Sequence, residues 1–149
     1  MRISVREALR RHNSIDPIAE IRKAIEQTKD TALALQKKQL FEKGENADGK
    51  KLRYKRKNGK YSQKKHSMNP LPGLGIADLK LTGSFHNQMG VHTNQTSLVI
   101  DSSDDKSQIL KRKYGPIFGH TKESKREYRP TLRAIMIKAY AAKTKMSIK

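Results

Sequence analysis

The chain of 149 residues contains no cysteine, which excludes disulfides and thiolate chemistry and leaves the compartment open. Acids are scarce as well: 14 Asp and Glu stand against 33 Lys and Arg, a formal net charge of +19. Self-repulsion on that scale destabilises an isolated compact state, so an anionic partner is implied, either nucleic acid or an acidic protein surface. Apolar residues reach only 34% and aromatics 5%. Part of the chain is therefore expected to be an arm or loop that orders against a partner. No apolar run approaches the roughly 18 residues that suggest a membrane span. Residues Met1 to Glu7 lack the apolar stretch of a secretory signal. A cytoplasmic or virion setting is expected, with one domain and one modest core.

The chemistry of catalysis is poorly supplied too. The histidines are His12, His66, His86, His92 and His120, with no pair at i, i+4 and no thiolate to join them in a tetrahedral zinc site. His86 and His92 are close enough in sequence to face one another across a hairpin. Ser84, Ser97 and Ser102 lack a strand–elbow setting, and Gly73-Leu74-Gly75 lacks the further glycine and helix of a dinucleotide loop. Acids are too scattered for a carboxylate pair. We expect no enzyme activity, no metal, no cofactor and no small-molecule substrate.

What is present is a pattern of helices, a hairpin and one very basic segment. Residues 1–15 carry Arg2, Arg6, Arg10 and Arg11 against Glu7, and read either as a basic arm or as a short helix from about 5 to 12. Ser4 and Glu7 have capping-box spacing. Residues 16–149 read as a single domain. Asp16 can cap a long helix with Pro17 in its first position, where the missing N–H costs nothing. Ile18, Ile21, Ile25, Thr28, Ala32 and Leu35 then fall on one stripe, and the pattern runs to about Lys43. Gly44, Asn46, Asp48 and Gly49 end it. The following stretch, 44–75, reads as a long loop, and long loops in small domains are usually functional or disordered.

Lys50, Lys51, Arg53, Lys55, Arg56, Lys57, Lys60, Lys64 and Lys65 make nine cations in sixteen residues without one acid, interleaved with Tyr54 and Tyr61. Stacking beside phosphate neutralisation is how unspecific nucleic-acid binding is built; such a loop also suits an acidic protein face. These eleven residues are the candidate partner or DNA contacts. Residues 79–102 read as strand, with a hairpin turning at Asn94-Gln95 and a nearly neutral charge balance. A short helix is expected over 104–114, ending at Tyr114-Gly115-Pro116. A last helix is expected to open at Pro130, with Leu132, Ile135, Met136, Ala139 and Tyr140 on one apolar face. Asp at Leu132 and Ile135 is expected to prevent folding. The fold class is α+β: a small antiparallel sheet flanked by a long N-terminal helix and a C-terminal helix, with a long basic loop.

Four segments, in order, resemble the tail-completion (head–tail connector, or neck) proteins of tailed phages. Asp48-Gly49-Lys50-Lys51-Leu52, followed by Tyr61 and Lys64-Lys65, is similar to that family's Asp-Gly-Lys stretch. Leu81-Thr82-Gly83-Ser84-Phe85 resembles its Leu-Thr-Gly segment leading into the sheet. Tyr114-Gly115 with Phe118-Gly119 resembles its aromatic–glycine stretch, and Arg129-Pro130-Thr131-Leu132 the Arg-Pro that opens its last helix. Two features depart from the pattern: Thr131 stands where the family usually has an aromatic, and the basic loop is heavier. The resemblance implies a non-enzymatic virion protein, assembled in the host cytoplasm. It would form a homo-oligomeric ring between a portal or adaptor protein and tail proteins, around a lumen that DNA crosses. The competing expectation is a sequence-unspecific nucleic-acid-binding protein of ribosome-associated or packaging type.

Overall fold

The computed structural model describes residues 4–53, 67, 77, 79–80, 82–94 and 97–144. In order they form α1 (Val5–Asn13), α2 (Pro17–Phe41), a single turn α3 (Ser84–Asn87), β1 (Met89–Asn94), β2 (Ser97–Ser102), α4 (Ser107–Tyr114) and α5 (Lys122–Thr144). The fold is α+β, a two-stranded antiparallel sheet with helices at both ends of the chain.

Local chemistry accounts for the first two helices. The Ser4 Oγ accepts from the Glu7 N–H at 3.2 Å, so the N-terminal arm is a helix. The Glu7 carboxylate turns to Arg10 and Arg11, at 3.1 and 2.7 Å. Asp16 Oδ1 accepts from the N–H groups of Ile18 and Ala19, 2.9 and 3.2 Å away, and Pro17 opens α2. With 25 residues, α2 is about 37 Å long. It packs along α5 and across both strands, so its inward face is occupied within the chain.

The expected stripe is the inward face along its middle, where Ile25, Thr28 and Ala32 are buried, but it does not hold at its start and is widened by Gln36 and Gln39. Ile18 is 53% exposed, and the buried residues include Ala24, Thr28, Ala32, Gln36 and Gln39 alongside Ile25 and Leu40. Polar side chains displace apolar ones because each finds hydrogen-bond partners inside, as described below. The core proper joins Leu40, Leu52, Ala77, Phe85, Met89, Ile100 and Ile117.

The structure corrects three expectations. The stretch before Met89 is not strand: Gly83 takes φ +83° and starts the turn α3, which buries Phe85 and His86. The Ser84 hydroxyl donates to Asp104 at 2.7 Å and fixes that turn. In the hairpin Asn94 pairs with Ser97, one residue further along than a turn at Asn94-Gln95 allows. Pro130 does not open the last helix but lies inside it. The Thr121 Oγ1 caps α5 eight residues earlier, accepting from the Ser124 N–H at 3.2 Å. The carbonyl that Pro130 deprives of a partner belongs to exposed Arg126, where water can replace the bond.

Candidate functional site

The first residues of the basic segment belong to an ordered turn. Residues 44–53, expected as the start of a loop, form a tight turn closed by a bridge between Glu45 and Lys51. The Asn46 side-chain oxygen accepts from the N–H groups of Asp48 and Lys50, at 3.0 and 2.9 Å. Leu52, only 3% exposed, anchors the far end in the core. The turn is also tied sideways: the Ala47 N–H donates to the Pro116 carbonyl at 2.7 Å, and the Asn46 Nδ2 to the Tyr114 carbonyl at 3.4 Å.

Of the candidate contact residues, Lys50 and Arg53 are exposed, while Lys51 pairs with Glu45 at 2.9 Å and donates to the Lys43 carbonyl. Tyr54, Lys55, Arg56, Lys57, Lys60, Tyr61, Lys64 and Lys65 lie outside the described residues, as does Leu81 of the motif. The side-ties bring the turn up to the last turn of α4, which carries Lys111, Arg112 and Lys113. Lys111 and Lys113 each hold their ammonium 5.0 Å from an aromatic ring, of Phe118 and Tyr114 respectively. Sequence patterning does not single out this second group of cations. Three consecutive basic residues at a helix end, where the partial negative charge favours them, are the signal that marks it.

The motif residues fall into two places. Phe85 and Phe118 meet with ring centroids 5.8 Å apart, and Tyr114 and Phe118 pack against the core. Thr82 is exposed beside Gly83. Gly115 and Gly119 take φ +78° and +114°, and a Cβ at Gly119 would come within 3.3 Å of the Ala47 Cβ; a side chain there meets both strain and crowding. Three motif segments thus converge around one core. Arg129 and Pro130 are elsewhere, exposed on α5.

Two glutamines one turn apart on α2 hold the 117–121 segment in place. Gln36, 0% exposed, donates to the Ile117 carbonyl and accepts from the Gly119 N–H, both at 2.9 Å. Gln39, 1% exposed, donates to the Gly119 carbonyl at 3.0 Å and accepts from the Thr121 N–H and the Ser124 hydroxyl. A primary amide offers two donors and two acceptor sites, which suits an irregular segment whose own backbone has no helix or sheet partner. Next to this clasp, His120 Nε2 lies 2.8 Å from the Ala32 carbonyl. Burial pushes its imidazole below the usual range, with the Lys125 charge adding to the shift and the Ala32 carbonyl opposing it. The Thr28 and Tyr128 hydroxyls share a hydrogen bond at 2.6 Å.

Charges across α5 are paired on its α2 side. Lys43 bonds Glu123 at 2.7 Å and holds that carboxyl below its ordinary range; Lys38 is 3.6 Å from Glu127. At the other end Lys143 bonds Glu20 at 2.6 Å and lowers it likewise. His86 is buried and stacked on Phe41, whereas His92 is exposed beside Asp101 at 3.2 Å, so the two do not face each other. Among the described residues, no three His, Asp or Glu side chains converge, and no helix is long and apolar enough to cross a membrane. Compared with known proteins, the chain matches no family model, no curated protein and no solved structure.

Proposed function

We propose that the chain is a non-enzymatic structural component of a tailed-phage neck, a ring subunit between portal or adaptor and tail that docks neighbouring virion proteins around the DNA channel. One observation carries this reading. Segments similar to the neck family's motifs lie far apart in the sequence, yet Leu52, Phe85 and Ile117 share one core, with Tyr114 and Phe118 packed against it. The turn that carries exposed Lys50 and Arg53 is tied through Asn46 and Ala47 to Tyr114 and Pro116, at the end of α4 that bears Lys111, Arg112 and Lys113. Such a group of cations, continued in sequence by the basic residues up to Lys65, suits docking on an acidic neighbour or lining a channel that DNA crosses.

Light scattering of the purified protein at low and high salt, with and without duplex DNA, tests this. A discrete multimer indifferent to DNA at physiological salt is the expected result. A monomer that binds DNA tightly, and loses it steeply as salt rises, replaces the reading with a sequence-unspecific nucleic-acid-binding protein. Neutralising Lys55, Arg56, Lys57, Lys60 and Lys64 together is expected to leave the fold intact and weaken assembly; full assembly by that variant removes the basic segment from the docking role.

A further inference from the structure

The outer side of α5 carries a shallow groove of about 940 Å3 that no other described element covers. Its residues come in two adjoining stripes set by helical spacing. Arg126, Arg129, Pro130, Arg133, Ala134 and Ile137 recur at alternating steps of three and one, and so share one face. Leu132, Met136 and Tyr140, four apart, form the next stripe towards α1 and α2. Pro130 and Ala134 are one turn apart at the centre, where small side chains let a partner's backbone come close. Ile137 is 39% exposed at one end.

Charge decides what fits. The two acids of this helix, Glu123 and Glu127, are turned to Lys43 and Lys38 of the α2 side. Arg126, Arg129 and Arg133 have no carboxylate partner among the described residues, so the rim of an apolar groove is lined by unbalanced cations. A second copy of the chain brings net +19 and, in a two-fold contact, the same three arginines opposite themselves. The chain's own segment 50–65 brings nine more cations and no acid. Both are disfavoured by like charge. A stripe about three turns long accepts another helix lying along it.

We propose that this groove docks an amphipathic helix of a protein partner, its apolar face on Pro130, Ala134, Met136 and Ile137 and its flanking Asp or Glu side chains on Arg126, Arg129 and Arg133. The groove carries this docking chemistry whether or not the chain works in a phage neck.

The test uses two synthetic peptides of about five helical turns each, identical in their leucine stripe, one flanked by glutamates and the other by lysines. Both are titrated into the full-length chain at physiological salt and followed by fluorescence anisotropy. The glutamate peptide is expected to bind at least about tenfold more tightly. The triple variant Arg126→Glu, Arg129→Glu, Arg133→Glu is expected to reverse that preference. A charge-matched control, Arg6→Glu with Arg22→Glu and Lys106→Glu outside α5, is expected to keep it. All the substituted side chains are exposed, and circular dichroism verifies that each chain is folded. Equal weakening by the triple variant and the control makes the attraction diffuse and overturns the groove as the site. Failure of the glutamate peptide to bind also overturns it. So does a dimer in light scattering that Ile137→Asn dissolves, since a second copy is then the occupant.

Discussion

Two faces of neighbouring helices invert the usual rule of polar outside and apolar inside. On α2, Gln36 and Gln39 are fully enclosed, while on α5 Ile137 and the groove around it stand open. Hydropathy does not explain the difference; saturation of hydrogen bonds does. Each buried amide meets backbone groups of the 117–121 segment that would otherwise be unpaired. Burial is then close to neutral for the amide and favourable for the segment. The α5 face has no such counterpart within the described chain, and its apolar surface is left for something else to cover.

The comparison breaks most visibly at Ile117, which is 0% exposed and lies where clasp and core meet. Ile117→Ala is expected to cost about 3–4 kcal/mol by removing transfer energy and leaving a cavity, read from urea unfolding. Gln39→Leu makes the α2 face more apolar and is nevertheless expected to cost about 2–3 kcal/mol, because the Thr121 N–H and Gly119 carbonyl lose their partner. A neutral or stabilised Gln39→Leu protein would mean that hydropathy, not saturation, governs that face. The helical pattern of the sequence predicts that Asp at Leu132 and Ile135 together prevents folding. Both positions are only half-buried, and a loss of about 1–2 kcal/mol each is expected instead. Thr28→Val, which deprives Tyr128 of its partner, is expected to cost about 1 kcal/mol.

His120 sharpens the comparison through pH. Its folded imidazole has a lower proton affinity than the ordinary value of about 6.5 in an unfolded chain. Below that value the unfolded state binds more protons than the folded one, so the contribution is intact above about pH 6.5 and is lost as pH falls through the window beneath it. The loss levels off once the folded ring is itself protonated. The urea midpoint of the wild type should therefore drop more between neutral and mildly acidic pH than that of His120→Gln. Parallel curves would show that the ring is solvated in the folded protein. The smallest effect is expected on the open side: Ile137→Asn should change stability by less than about 0.5 kcal/mol, since so much of that side chain already faces water.

Several features of the fold are legible in the residues alone. Ser4 and the pair Asp16-Pro17 act on N–H groups two or three residues away, so the starts of α1 and α2 follow from local chemistry. The alternation in 89–102 is enough for a hairpin, and glycine and proline after Tyr114 for the end of α4. The order of the 44–53 turn is not legible in this way. Besides the local bonds of Asn46, the packing of Leu52 with Ala77, Phe85 and Ile117 and the bonds to Tyr114 and Pro116 impose it, and these partners are 25 or more residues distant. Most of the candidate contact residues fall beyond Arg53, outside what the structure describes, so the sequence remains the ground for those.

Charge, the class of elements and the starts of α1 and α2 follow from the residues alone, because these depend on composition and on interactions within a turn or two. Tertiary structure alone decided that Gln36 and Gln39 join the inward face of α2, and which face of α5 no other described element covers. Those outcomes depend on whether a polar or apolar side chain meets a complementary group some eighty residues away, as Gln36 meets Ile117 and Gly119. No periodicity within a single helix carries that information.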